Sequence, residues 1–280
     1  MSADVLGPAV AGSWYPSDRD ALAGLVDRLL EKAEGGAARA VIAPHAGYAY
    51  SGPLAAAALR ALETSGLRRV ILLGPSHHHG FAGAAVPRAA RACRTPLGDL
   101  PIDREAVLSL AEQPGFRADD RVFVREHALE SELPFLQRLL AETPAIVPIL
   151  LGGGATIDDA AAVARAVAPF VDAATRVVVS SDFTHYGTRF DYVPFADAVP
   201  ERIAALDRGA LQAIEAGDAT GFARYVDATG ATICGRRAID VLLRLPAGAR
   251  GGRTVAYDTS GRQTGTWDHS VSYAAVELFP

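Results

Sequence analysis

Arg176-Val-Val-Val-Ser-Ser-Asp182-Phe-Thr-His185 is the stretch that sets the fold. Its valine run is short, β-branched and uniformly apolar, as expected of a strand buried on both faces. It gives way to Ser, Asp and His, and Gly187 follows. Two earlier segments share the design. Arg39-Ala-Val-Ile-Ala-Pro-His45 precedes Gly47, and Arg69-Val-Ile-Leu-Leu-Gly-Pro-Ser-His77 precedes Gly80. In an open α/β sheet, ligands bind in the crevice beyond the carboxyl ends of the strands. The three segments therefore predict His45, His77, Asp182 and His185 together at one sheet edge.

Outward from these runs, the pattern alternates. Apolar stretches of strand length lie at Ala40–Ala43, Val70–Leu73, Ile146–Leu150, Val177–Val179 and Val271–Val276. Between them come helical periodicities. Ser17, three residues ahead of Asp20, predicts a capped helix carrying Leu22, Leu25, Leu29 and Leu30. Ser51 is placed to cap a helix with Pro53 in its first turn, running to Leu62. Asp103 opens another through Leu110. Further helical patterns fall near 127–141, 157–170, 199–216, 219–228 and 235–245. Thr254–Tyr257 and Val271–Leu278 read as a hairpin or edge addition. The expectation is an α/β fold: one layered domain over residues 1–280, with a central, largely parallel or mixed sheet flanked by helices.

Composition removes several function classes. The chain has 280 residues, with 27 basic and 32 acidic side chains and a net charge of −5. A mild acidic excess without a basic run excludes a nucleic-acid surface. No apolar stretch reaches the roughly 18 residues of a membrane-spanning helix. The first 16 residues lack a basic segment followed by an apolar core, so no secretory signal is expected. Cys93 and Cys234 are too few for a disulfide framework, and a cytoplasmic protein with reduced thiols is the expectation. Neither a phosphate loop, a nucleophile elbow nor a zinc-protease helix motif occurs.

Seven histidines are present, and six lie in four short segments at 45, 77–79, 127 and 185. Neutral imidazole is the commonest metal ligand, so a metal is the leading chemistry. Adjacent side chains diverge, so only one of His77, His78 and His79 is expected to face the site. Cys234, in Thr232-Ile-Cys-Gly235-Arg236, precedes a helical pattern. The helix N-terminus, with Arg236 and Arg237 nearby, would favour the thiolate. His127 and Glu130 are three apart and would share one face of a helix, with Pro134 kinking or restarting it.

Seven collinear motifs resemble the Memo family, whose prokaryotic members are called AmmeMemoRadiSam system protein B. They are Ala11-Gly-Ser-Trp14-Tyr15-Pro16, Ala43-Pro-His45-Ala-Gly-Tyr48, Gly74-Pro-Ser-His77-His78, Glu126-His127-Ala-Leu-Glu130 with Leu133-Pro134-Phe135, Ser180-Ser-Asp182-Phe-Thr-His185-Tyr-Gly187, Thr232-Ile-Cys234-Gly235 and Ser270-Val-Ser-Tyr-Ala-Ala275. The resemblance implies a fold shared with the LigB-like class III extradiol dioxygenases, in which two histidines and a glutamate hold iron(II). Carried over by motif, His45 and His77 match the histidine ligands and Cys234 takes the third position. His185 matches the acid/base histidine, and His127 a supporting histidine outside the ligand set. Thiolate in place of carboxylate also suits copper, so iron(II) leads and copper is the alternative. The family name further implies an AMMECR-type protein and a radical SAM protein as partners. Animal members are described as binding phosphorylated peptides, so a small molecule or a peptide is the expected ligand.

Three readings follow. In the first, a metal-dependent, dioxygenase-like oxidoreductase uses His45, His77 and Cys234 as ligands. Asp182 orients a ligand, His185 moves protons, and Tyr48 and Tyr186 line the substrate pocket. In the second, the same site binds metal or peptide without turnover. In the third, Cys234, His185 and Asp182 form a hydrolase triad.

Overall fold

The computed structural model describes residues 4–140, 142–248 and 250–280. Four parallel strands form the middle of its main sheet, in the spatial order Ala40–Ala43, Thr175–Ser180, Arg69–Pro75 and Ala145–Leu151. Nearly every residue of these strands is buried, which is why their sequences are continuous apolar runs and not alternating ones. Antiparallel strands complete the sheet. His269–Leu278 runs beside Ala40–Ala43, and Ala84–Val86 beside Ala145–Leu151, followed by Phe116–Ala118. The sheet is therefore mixed with a parallel centre.

The last strand is more than an edge addition. His269–Leu278 forms an antiparallel hairpin with Gly252–Thr259, as expected, but it also carries His185–Gly187 and inserts next to Ala40–Ala43. A small second sheet joins Val5–Leu6, Ala92–Thr95 and Gly98–Pro101. Its short segments are too brief and too polar to register as strands in the sequence.

Helices flank the sheet in two groups. Arg19–Glu31, Tyr48–Arg60 and Leu133–Leu139 pack together, while Ile157–Val167, Ala219–Thr229 and Arg236–Arg244 form the other. The first helix buries Leu22, Val26 and Leu30 at four-residue spacing. Its cap is Asp18, whose carboxylate accepts from the Ala21 amide, and not the expected Ser17. The second begins a full turn early, at Tyr48, with Pro53 inside it. Ser51 is already helical there, and its hydroxyl donates back to the Ala46 carbonyl. Asp103 caps Arg104–Ala111 as expected. The helix at Ile157 is closed by a capping box between Thr156 and Asp159. The expected 127–141 helix is shorter, because Pro134 sets its first turn: a 3-10 turn at Glu130–Glu132 leads into Leu133–Leu139.

Strand register sets the geometry of the site. Ala43 lies level with Ser180, and Leu73 with Val179. The strand ending at Ser180 thus stands between those leading to His45 and His77. Three carboxyl ends converge on one edge at one height.

Candidate metal centre

His45, buried, follows its strand by two residues. Its amide donates to Asp182 Oδ1 at 2.9 Å, which ties the first histidine loop to the third. Its Nδ1 lies 2.8 Å from Ser180 Oγ. That hydroxyl spends its proton on the Ala128 carbonyl, 2.6 Å away, so it accepts from the ring N–H. The His45 proton therefore sits on Nδ1, and Nε2 keeps its lone pair. Nε2 faces Cys234 Sγ at 3.4 Å.

His77 is fixed the same way by another partner. Its amide donates to Glu126 Oε2 at 2.6 Å and its Nδ1 to Glu126 Oε1 at 2.8 Å. Glu126 also accepts from the amides of His127 and Ala128, both at 3.0 Å. Burial alone would raise its pKa. The hydrogen bonds from His77 and the backbone outweigh that and hold it at about 2. A carboxylate bonded to the distal nitrogen of an imidazole fixes the tautomer and strengthens the near nitrogen as a ligand.

Cys234 stands in the loop before Arg236–Arg244, a helix that packs on the strands at 69–75 and 175–180. Gly235 brings this loop against Ser181: its amide donates to Ser181 Oγ at 3.0 Å, and a Cβ here would lie 2.4 Å from Ser181 Cβ. The Asp182 amide donates to Cys234 Sγ at 3.2 Å. The helix start that would favour a thiolate at Cys234 is opposed by its surroundings. Burial pushes the Cys234 thiol well up, the nearby Asp182 charge adds to it, and bonds from Asp182, Ser181 and Gly235 recover only part. Arg237 does not help, since it donates to the Ala155 carbonyl and faces Asp227.

One donor atom from each of His45, His77 and Cys234 falls within 4.8 Å of the others. The donor set fits a transition metal: two imidazoles with engaged Nδ1 atoms and free Nε2 atoms, and one thiol. Burial holds His45 well below its ordinary pKa and, helped by its His77 neighbour, keeps it neutral as a ligand must be. Thiol and imidazole are thus both neutral in contact. A cation placed between them reverses the thiol's preference.

The other histidines surround this group. His127 stacks on His77 with ring centres 4.5 Å apart, meets His45 edge-on at 5.5 Å, and is capped by Trp14 at 4.3 Å. It sits in a turn and not on a helix, so it shares no face with Glu130. Glu130 instead accepts from the amides of Ala9 and Val10 and from the Tyr15 hydroxyl, pinning the N-terminal segment. Glu126, His77 and His127 also bring donor atoms within 4.8 Å of one another. His78 only edges His127, at 6.3 Å, and His79 is exposed.

His185 directs Nδ1 at the carbonyls of Phe183 and Thr232, 2.8 and 3.0 Å away. Its Nδ1 therefore carries the proton, and Nε2 is free to accept one. The imidazole that meets Cys234 is that of His45, so a triad of Cys234, His185 and Asp182 lacks its central contact. Asp182 is buried with Oδ2 4.0 Å from His45 Nε2. The two expected pocket tyrosines are turned to the protein itself. Tyr48 is buried against Tyr15 and Phe135, its hydroxyl donating to the Ser131 carbonyl, and the Tyr186 hydroxyl donates to the Phe195 carbonyl. Their polar atoms are consumed by packing constraints that local sequence does not show. Glu126 and Ser180 are the residues that sequence reading passed over. The signal for Glu126 was its place beside His127; Ser180 carried none beyond ending the strand.

A profile described as Memo-like protein matches residues 7–277. The chain belongs to the Memo family. It is similar to the Protein memo-1 homolog of Caenorhabditis elegans, 34% identical over 96% of this chain and 81% of that protein. A MEMO1 family protein of Methanopyrus kandleri is 34% identical over 96% of this chain and 97% of its own length. Protein MEMO1 of Mus musculus is 33% identical over 96% and 95%. The Memo-family match covers every segment of the metal centre, from the Trp14 segment to Cys234. Among the described residues, no helix is long and apolar enough to cross a membrane.

Proposed function

We propose that this Memo-family chain holds a single transition-metal ion on His45, His77 and Cys234 and uses it for dioxygenase-like redox chemistry on a small organic or peptide substrate. The observation that carries the reading is the convergence of these three donors, with both distal imidazole nitrogens already engaged by Ser180 and Glu126. Iron(II) is assigned first and copper second, since two imidazoles and a thiolate suit both. When bound, the metal supplies Lewis acidity and a redox couple at this edge of the sheet.

The protein's own groups perform the rest. Glu126 and Ser180 hold the imidazoles in their ligating tautomers. Asp182 keeps the His45 loop in place and points its amide at the sulfur. His185, with Nε2 bare, takes a proton from the substrate and returns it. Trp14 and His127 pack edge to face along one side of the site. Phe190, which meets His185 edge-on, also lines a hollow of about 320 Å³ with Tyr50, Arg189, His269 and Tyr273. We assign this hollow as the substrate's approach. Association with an AMMECR-type protein and a radical SAM protein in the cytoplasm is part of the same proposal.

The test is metal content by mass spectrometry on protein purified without an affinity metal column, alongside His45→Ala, His77→Ala and Cys234→Ala. Near-stoichiometric iron or copper, lost in each variant, is expected. Oxygen uptake that requires both metal and His185 would follow. A wild-type protein that takes up neither metal after anaerobic reconstitution would end this reading.

A further inference from the structure

Ser180 Oγ is crowded by three groups: the Ala128 carbonyl at 2.6 Å, His45 Nδ1 at 2.8 Å and Glu132 Oε1 at 3.0 Å. A hydroxyl has one proton and two lone pairs. The carbonyl can only accept and makes the shortest contact, so it takes the proton. Only lone pairs remain for the other two neighbours. His45 meets one with its Nδ1–H. Glu132 must then donate as well, which a carboxylate cannot do.

We propose that Glu132 is a positioning residue of the metal centre: a neutral carboxylic acid whose Oε1–H donates to Ser180 Oγ and thereby locks His45 in the tautomer that leaves Nε2 bare. Two further observations agree. Glu132 is wholly enclosed, and its second oxygen has no hydrogen-bond partner among the described residues. An unpaired acid carbonyl is tolerable in such a place, whereas half of a carboxylate is not. Burial also outweighs the lowering effect of the Ser180 contact and, with the Asp182 charge nearby, pushes Glu132 well above the usual carboxylate range. With both lone pairs occupied, the hydroxyl cannot rotate to offer its proton to His45. Loss of the acid would free one lone pair and let the ring flip to the tautomer with a proton on Nε2, which cannot ligate.

The inference rests on the metal reading for its affinity arm alone. In metal-free protein, an infrared difference spectrum between wild type and Glu132→Gln at neutral pH should show a protonated-carboxyl band lost in the variant. Histidine nitrogen NMR should show His45 protonated on Nδ1 in both proteins, because the glutamine amide also donates. In Glu132→Leu, a similar volume without a donor, the same spectrum should show mixed tautomers. Metal affinity should be near wild type in Glu132→Gln and weaker by about tenfold in Glu132→Leu. No carboxyl band in the difference spectrum would overturn the proposal. So would a Glu132→Leu protein with an unmixed His45 tautomer. If no protein binds metal, the infrared and NMR arms still decide the role of Glu132 while the functional reading falls.

Discussion

His77 and Glu126 are joined twice, amide to one carboxylate oxygen at 2.6 Å and ring Nδ1 to the other at 2.8 Å. The bidentate grip fixes both the loop and the ring, so the carboxylate controls a ligand it never leaves. Replacing Glu126 with Gln keeps the shape but removes the charge and one acceptor. Metal affinity should fall about 10- to 100-fold, the usual cost of losing such a partner, with stoichiometry unchanged at saturation. Competition titration against a chelator measures it; an unchanged affinity would make Glu126 merely structural.

Cys234 is the candidate donor that separates this site from a two-histidine, one-carboxylate centre. Cobalt(II) loaded into the wild type should give a near-ultraviolet thiolate charge-transfer band. Cys234→Ser should lose that band while keeping the fold by circular dichroism. A band that survives the substitution would remove the sulfur from the ligand set.

Acid should weaken the metal-free fold through His127 and Glu126. Burial, then the neighbouring His45 and His77, hold His127 at about 3 against an ordinary 6.5. Glu126 stands at about 2 against 4.5. Both folded values are depressed, so the unfolded chain binds protons first as pH falls. The stabilisation is complete above 6.5 and is lost between 6.5 and 3 for His127, and between 4.5 and 2 for Glu126. The melting temperature should drop with falling pH over this range, less steeply in His127→Phe. Parallel curves for the two proteins would contradict the assignment.

Gly235 allows the cysteine loop to touch Ser181. A Cβ there meets Ser181 Cβ at 2.4 Å and the Ser180 carbonyl at 3.0 Å. Gly235→Ala should destabilise the chain by about 1–3 kcal/mol, as overpacking does. Because the loop must move, metal affinity should fall too, although no ligand changes. Denaturant melts and metal titration read the two effects separately.

The parallel strands were legible because burial on both faces leaves an unbroken apolar run, and the His that follows three of the four runs marks the crevice. Val177–Val179 and Ile71–Leu73 show this plainly. The helix starts were less so. Ser17 and Ser51 are good capping residues by type, but Asp18 and Gly47 hold the cap positions because Asp18 reaches the Ala21 amide and Ser51 prefers the Ala46 carbonyl. Within the site, the strand ends predict His45 and His77 at one edge and the family resemblance adds Cys234, whereas their supports could not be expected. Glu126 acts across 49 residues and Ser180 across 135, contacts that exist only once strands are in register. The surroundings of the thiol are hidden for a related reason: a helix start favours thiolate, while burial and Asp182, which only the fold brings to Cys234, push the other way.

His45 and Cys234 are 189 residues apart, and Ala40–Ala43 lies between Thr175–Ser180 and the closing strand, pairing with residues 276–278 of the latter. During synthesis, the first histidine leaves the ribosome long before the cysteine, and one side of its strand stays unpaired until residues 276–278 are made. A nascent chain that stops short of Cys234 lacks one of the three donors. A metal held by all three donors would therefore have to enter after Cys234 has been made and its loop has docked on Ser181.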